Sequence, residues 1–447
     1  MTTHWWSGDA LTQFLSRQFD GRSVQVLKAK KLSGGAVQEN WSLDIQVENE
    51  VPIALVMRSD AATQVQASLS REQEFRLLQV VYDAGVTVPR PFWLGDETLS
   101  RACFFMERVA GTAAGHRLVK DDELVPDRSA LAFDIGQQMA RLHRVLPDEP
   151  RLAFLSAPEV EPARQALAVM AQWLDQHHQP HPALRWALCW LQQHCPPACS
   201  PVLTHRDLRT GNYMVDQGRL TAVLDWEFAA WSDPGEDLGW FCAACWRFGR
   251  VEYEAGGIGP RADFLAGYQA EAGWVPAPEV IRFWEIFAHL RWAIIALQQA
   301  DRVTIGGERS LELALTGQLV PGLECQLLLD TGVALGHDLA DVPVLAIVPE
   351  SSQLIALAHE ALLRDLLPAL PTHQHYSARM VANVLSMIKS QLVVPDKTTF
   401  SIWQSLDTAV QQVELALDNT QTNELRQHLG RLTHARYVQA KGRPYPS

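Results

Sequence analysis

The stretch LTHRDLRTGNYMVDQGRLTAVLDWEFAAWSDPGEDLGW, residues 203–240, decides how this chain is read. Within it Asp207 and Asn212 stand five residues apart in a polar loop. Tyr213–Asp216 and Leu220–Leu224 flank Gln217-Gly218, the pattern of a β-hairpin with a tight turn at a glycine. A hairpin returns the chain to where it began, so Asn212 and Asp225 are expected at one open end. Oxygen donors brought together this way suit Mg²⁺, which takes a few hard protein ligands plus substrate phosphates. Asp207, just upstream, can face the same centre and accept a proton from a hydroxyl. Phosphoryl transfer needs this set: a carboxylate by the nucleophile and metal ligands across the phosphates.

Outward from this centre, the N-terminal part is rich in strands. Residues 1–21 read as a short amphipathic helix. VQVLKAKKL (24–32), WSLDIQV (41–47) and VPIALVMR (51–58) read as strands, the first two flanking the loop SGGAVQEN. Residues 67–84 read as a helix ending at Gly85, with Phe75, Leu78 and Tyr82 at helical spacing. VTVPRPFWLG and ACFFMERV add two strands, and from about residue 128 the pattern turns helical, most clearly in LAFDIGQQMARLHRVL. A break without helical period falls around 338–350, and four amphipathic helices are expected after it, near 351–369, 376–394, 399–418 and 421–440. Three segments follow: a β-rich lobe over 1–108, a helical lobe over 109–340, and a C-terminal four-helix bundle over 345–447.

The 447 residues are 47% hydrophobic, enough for substantial cores, and carry a net charge of −13. That balance argues against a general nucleic-acid binder, which needs a basic face. No apolar run approaches the roughly 18–20 residues of a membrane span. The start, MTTHWWSGDALTQFLSRQFDG, lacks the basic-then-apolar pattern of a secretory signal, so a cytoplasmic protein without membrane contact is expected. Seven cysteines make a disulfide framework an unfavoured reading. The close pairs Cys195/Cys199 and Cys242/Cys245 have no convincing partner spacing for zinc and read as structural thiols.

HRDLRTGN, followed by LDWE and DPGEDLGW, resembles the aminoglycoside phosphotransferase family of the protein-kinase-like superfamily. The resemblance spans roughly residues 25–335. It implies an α+β, bilobal protein-kinase-like fold: a small β-rich N-lobe, a hinge and a larger helical C-lobe, with ATP in the cleft. Carried over by motif, Asp207 is the catalytic base, and Asn212 and Asp225 bind Mg²⁺. His205 holds the loop, and Asp237 resembles the buried Asp that accepts backbone N–H bonds from the catalytic loop. Ser33-Gly34-Gly35 would cover the phosphates with backbone N–H groups. Where the superfamily places a lysine paired with a helix Glu, this chain has Arg58 and Glu74, a departure that alters the phosphate geometry. Met106 and Glu107 match the hinge against adenine, and His143 a buried hydrogen-bonding position. The forms LRTGN, VLDWE and DLGW resemble the branch found beside or fused to acyl-CoA dehydrogenases. The run HYSARMVANVLSMIKSQL is similar to a small accompanying domain of unknown role.

The expected activity is transfer of the ATP γ-phosphate to a hydroxyl of a small molecule. Residues 213–344 carry a net charge of −11 and no lysine, a field that favours a cationic acceptor such as an aminosugar and disfavours an anionic acyl-CoA. A hydroxyacyl-CoA kinase is the alternative that the branch resemblance raises. A third reading is a non-catalytic nucleotide-binding regulatory protein. The C-terminal bundle is the expected surface for a protein partner or a homodimer.

Overall fold

The structure, a computed structural model, describes residues 5–32, 38–60, 69–336, 347–391, 397–411, 420–441 and 444–446. In chain order it begins α1 (Gly8–Gln18), β1 (Val24–Lys31), β2 (Gln38–Val47), β3 (Ile53–Asp60), α2 (Arg71–Asp83), β4 (Pro91–Leu94), β5 (Cys103–Glu107). The middle holds α3 (Gly115–Lys120), α4 (Arg128–Leu142), α5 (Pro162–Gln176), α6 (Pro182–Gln193), β6 (Val202–Thr204), β7 (Tyr213–Asp216), β8 (Arg219–Val223) and β9 (Ala230–Ser232). Helices complete the chain: α7 (Pro234–Cys242), α8 (Arg261–Ala272), α9 (Pro278–Thr304), α10 (Leu311–Gly317), α11 (Val320–Asp330), α12 (Ser351–Ala361), α13 (His375–Gln391), α14 (Lys397–Gln411) and α15 (Thr420–Lys441). None among the described residues is long and apolar enough to cross a membrane. Two compact units result: Met1–Pro162 with Pro197–Glu285, and Ala163–Pro196 with Ile286–Ser447.

The first unit has the bilobal architecture. Its β-rich lobe is a five-stranded antiparallel sheet of order β1-β2-β3-β5-β4. On β2, Trp41, Leu43, Ile45 and Val47 are buried, while Asn40, Ser42, Asp44 and Gln46 between them are only half-buried. That period of two gives the sheet one apolar face. Leu11, Phe14 and Leu15 of α1 close over this face, with Phe14 stacked on Phe105 at 5.0 Å. α2 starts at a capping box in which Ser70 and Gln73 satisfy each other's backbone N–H.

The helical lobe of this unit is organised by a second core that joins α2, α4, α7, α8 and the β7–β8 hairpin. The hairpin closes on Gln217 (φ 47°) and Gly218 (φ 77°), with Asp216 opposite Arg219. Positive φ at both loop residues is what a tight hairpin turn demands. α4 and α8 approach so closely that a Cβ on Gly136 would lie 2.0 Å from the Phe264 carbonyl oxygen, and one on Gly267 1.9 Å from that of Phe133.

In the second unit the four expected tail helices are present as α12–α15. Trp403, Leu406 and Val410 of α14, with Leu429 and Leu432 of α15, share one core with Ala183 and Trp186 of α6 and Leu328 of α11. The tail therefore packs against segments that the sequence reading placed in the helical lobe. Inside this unit the buried Arg436 of α15 bonds both carboxylate oxygens of the buried Glu324 of α11, at 2.7 and 2.9 Å.

The α4–α8 contact can be tested directly. Gly136→Ala should cost about 1–3 kcal/mol or more in urea unfolding, because the new methyl meets backbone rather than a movable side chain. Gly8→Ala, with nothing within 4 Å of the added Cβ, is the control expected to be neutral.

Candidate active site

The loop after β6 is held from below by one carboxylate. Asp237, in the first turn of α7, is fully buried. It accepts hydrogen bonds from the backbone N–H groups of His205 and Arg206, both at 2.7 Å, and from His143 Nε2 at 3.1 Å. His143 Nδ1 lies 2.9 Å from the Tyr268 hydroxyl. With Nε2–H committed to Asp237, Nδ1 is the acceptor for that hydroxyl. Burial pushes the Asp237 carboxyl up, but the His143 hydrogen bond, the electrostatic attraction of the His143 and His205 rings and the His205 backbone N–H together hold it below the usual aspartate range.

His205 is a second internal brace. Its Nε2 donates to the Leu224 carbonyl at 2.8 Å, and its Nδ1 accepts from the Asp207 N–H at 3.2 Å. This pairing fixes a neutral tautomer. Trp226 packs beside the ring with centroids 4.5 Å apart. Arg206 bends the chain at φ 63° and sends Nε to the buried Glu236 at 2.9 Å. Its charge is thus committed to α7. Arg209 stays near the centre, with Nε 3.5 Å from Asp207 Oδ1 and its guanidinium 4.8 Å over the Trp246 ring.

Asn212 Nδ2 donates to both the Asp207 carbonyl, at 2.8 Å, and Asp207 Oδ2, at 2.7 Å. The Asn212 carbonyl accepts from the Leu224 N–H at 2.8 Å. The start of the β7–β8 hairpin is thereby tied to its end, and Asp225 follows at φ 60° with its side chain 45% exposed. Asp207 and Asn212 are thus bonded directly, and Asp225 stands one residue beyond the Leu224 N–H that the Asn212 backbone carbonyl accepts. Because the Asn212 amide nitrogen is spent on Asp207, its amide oxygen is the remaining donor. An amide oxygen and the Asp225 carboxylate are hard ligands of the kind Mg²⁺ takes, so the residues fit that ion.

On the β-rich side, Arg58 Nε lies 2.8 Å from Glu74 Oε1, and both side chains are buried. The same guanidinium reaches Asp225, with Nη2 3.4 Å and Nη1 3.5 Å from Oδ1. Arg71 went unnoticed in the sequence: it pairs with the other Glu74 oxygen, and its Nε lies 3.0 Å from Asp60 Oδ1. Its spacing of three residues from Glu74 on α2 was the available signal. Glu227 was also missed; burial and then the Asp225 charge push its carboxyl up, with Arg58 opposing. Ser33, Gly34 and Gly35 lie outside the described residues.

Met106 and Glu107 end β5, opposite Val56 and Leu55 of β3. The Glu107 N–H donates to the Arg90 carbonyl at 2.9 Å, and Thr112 then exchanges two backbone bonds of 3.0 Å with Val215 on β7. Residues 108–112 therefore bridge the two lobes. A cavity of about 610 Å³ opens beside this bridge, lined among others by Val56, Arg58, Met106, Met214 and Asp225. Apolar walls with a charged end suit a ligand that is flat and apolar at one end and anionic at the other.

A sheet lobe, a bridging segment, a cleft and a loop braced by a buried aspartate define a two-lobed, protein-kinase-like phosphotransferase. A model of the phosphotransferase enzyme family matches residues 28–284, and the chain belongs to that family. Its class of activity is ATP-dependent phosphoryl transfer to the hydroxyl of a small molecule. Among solved structures, a candidate aminoglycoside phosphotransferase from Ralstonia eutropha JMP134 is 20% identical with a TM-score of 0.58, over 71% of this chain and 96% of that one. A macrolide 2′-phosphotransferase from Brachybacterium faecium is 24% identical with a TM-score of 0.45, over 66% and 94%. A choline/ethanolamine kinase family protein from Mesorhizobium loti is 14% identical with a TM-score of 0.44, over 68% and 88%. No curated protein matches the chain.

The Asp237 brace has a pH signature. A carboxyl whose folded pKa is depressed adds stability above its unfolded pKa, and that contribution is lost as pH falls through the folded value. Asp237→Asn should therefore cost about 2 kcal/mol near pH 7, as for hydrogen bonds to a charged acceptor. The gap from wild type should shrink below about pH 4, near the unfolded aspartate pKa. Urea midpoints across pH 3–8 read both.

Proposed function

We propose that this protein transfers the γ-phosphoryl group of ATP to a hydroxyl of a small cationic molecule, with Asp207 as the base. The observation that carries this reading is Asn212, whose side chain bonds Asp207 Oδ2 at 2.7 Å while its backbone carbonyl accepts the Leu224 N–H, next to Asp225. Base and ligand donors are positioned by one residue.

The cavity beside residues 108–112 receives the nucleotide, its base against Val56, Met106 and Met214, with Met106 and Glu107 at the hinge. Arg58, held at Nε by Glu74, presents a cation to the phosphates, and Arg209 adds another beside Asp207. Asn212 and Asp225 would hold Mg²⁺, which supplies charge neutralisation across the phosphate oxygens. Asp207 accepts the proton of the acceptor hydroxyl as that oxygen bonds to the γ-phosphorus, and the bond from the γ-phosphorus to the β,γ-bridging oxygen breaks to release ADP. His205 and Asp237 keep the loop in place and touch neither reactant.

The net charge of −11 over residues 213–344 supports a cationic acceptor by field. A hydroxyacyl-CoA, the other acceptor raised by the resemblance, would bring phosphate charges into that field.

Asp207→Ala should lower the transfer rate by about 10²–10⁴-fold, the range for a lost general base, with Mg²⁺-ATP binding by calorimetry largely retained. Asp225→Ala should remove the magnesium dependence of nucleotide binding. Unchanged, magnesium-dependent binding in that variant would exclude the metal assignment. In an ATP-consumption screen, aminoglycosides and amino alcohols should outperform neutral sugars and hydroxyacyl-CoAs. Their advantage in kcat/KM should fall as salt rises from 0.05 to about 0.5 M.

A further inference from the structure

The second unit holds a histidine cluster that the phosphotransferase chemistry does not use. The loop between α5 and α6 reads His177-His178-Gln179-Pro180-His181, a short histidine-rich tract. Across from it, near the end of α9, lies Asp301. One ligand atom from each of His177, His178 and Asp301 lies within 4.8 Å of the others. We propose that these three residues bind a zinc-class divalent cation, with a water molecule completing the tetrahedron.

Four observations carry the site. First, His177 Nε2 and Asp301 Oδ2 are 3.2 Å apart. Two ligands about 2.1 Å from one tetrahedral ion lie roughly 3.4 Å apart, so a cation fits between this pair with almost no movement. Second, the other Asp301 oxygen, Oδ1, is buried and has no hydrogen-bond partner among the described residues. A buried carboxylate oxygen left in this state is costly unless a further positive group is present. Third, His178 is exposed and its ring centroid is 4.4 Å from that of His177, so it can swing onto the ion from the solvent side.

The fourth observation is the support behind His177. Its Nδ1 accepts the Gln179 N–H at 3.3 Å and also lies 3.1 Å from His181 Nε2 and 3.3 Å from the Gln179 carbonyl. His181 Nδ1 faces Glu324 Oε1 at 3.6 Å, and Arg436 fixes that carboxylate. A histidine that binds metal through Nε2 carries its proton on Nδ1, so on ligation this ring would exchange the Gln179 N–H for a bond to the Gln179 carbonyl or His181 Nε2. His181 is itself buried, so its ring is held in place behind His177. Imidazole and carboxylate donors in this number suit zinc more than magnesium or calcium. The ion would join residues more than 120 positions apart in sequence. It would thereby stabilise the second unit in addition to its packing.

The test uses the full chain without a polyhistidine tag and Zn²⁺ alone as the probe. Titration against a chromogenic chelator, with metal analysis after dialysis, should give one Zn²⁺ per chain and a rise in the melting temperature. His178→Ala changes only an exposed side chain and should keep the fold. It should weaken binding more than about 100-fold, since losing an outer-shell partner alone costs about 10–100-fold. Asp301→Asn should do the same, and both should keep the metal-free melting temperature within a few degrees. Asp225→Asn should retain the Zn²⁺, which separates this site from the proposed magnesium ligands. Equal Zn²⁺ stoichiometry and affinity in wild type and His178→Ala overturns the proposal, as does loss of the ion in Asp225→Asn alone or binding weaker than about 0.1 mM.

Discussion

The buried carboxylate of Asp237 is the interaction on which the catalytic half of the molecule rests. A charge with no solvent contact is tolerated only when hydrogen bonds and nearby positive groups replace its water, and removing them leaves a penalty of several kcal/mol. Here the replacements are the N–H groups of His205 and Arg206 and the imidazole of His143. Each comes from a different place. The loop supplies two donors, α4 ends at the third, and Tyr268 of α8 orients that imidazole. Satisfying one carboxylate thus fixes the loop against three helices. The close approach at Gly136 and Gly267 belongs to the same constraint, because α4 and α8 must meet for His143 and Tyr268 to reach each other.

From that anchor order passes outward by short hydrogen bonds. His205 links the Asp207 backbone to Leu224, and Asn212 links the Asp207 side chain to the same residue. Asp225 is next in the chain, so its position follows from bonds that it does not make itself. The side chains of the candidate site are therefore placed by backbone as much as by side chains. Such a centre is preorganised before any substrate arrives.

Arg58 shows what an arginine does where the sequence resemblance leads one to expect a lysine. A lysine offers one nitrogen, whereas the guanidinium fork sets Nε 2.8 Å from Glu74 in an ion pair and faces Asp225 through Nη1 and Nη2 at once. Glu74 in turn serves two arginines, since Arg71 takes its second oxygen. Two buried cations with Glu74 between them, and Asp60 and Asp225 at the ends, form a chain of alternating charge. It crosses from the sheet lobe to the hairpin inside the first unit.

Much of this was legible in the sequence because it is local. A period of two across 41–47, helical spacing in α2 and α4, and Gln217-Gly218 between two apolar runs are set by neighbouring residues and survive without tertiary context. The tie between Asn212 and Leu224, next to Asp225, was legible for the same reason: the hairpin between them is itself local. Tertiary structure decided which distant surfaces would satisfy each other. His143 meeting Asp237, Arg71 sharing Glu74, α14 and α15 completing a core with α6 and α11, and His177 facing Asp301 all join residues chosen by packing. An apolar stripe or a buried charge announces that it needs a partner, but many partners satisfy that need equally well in sequence, and only the folded geometry selects one.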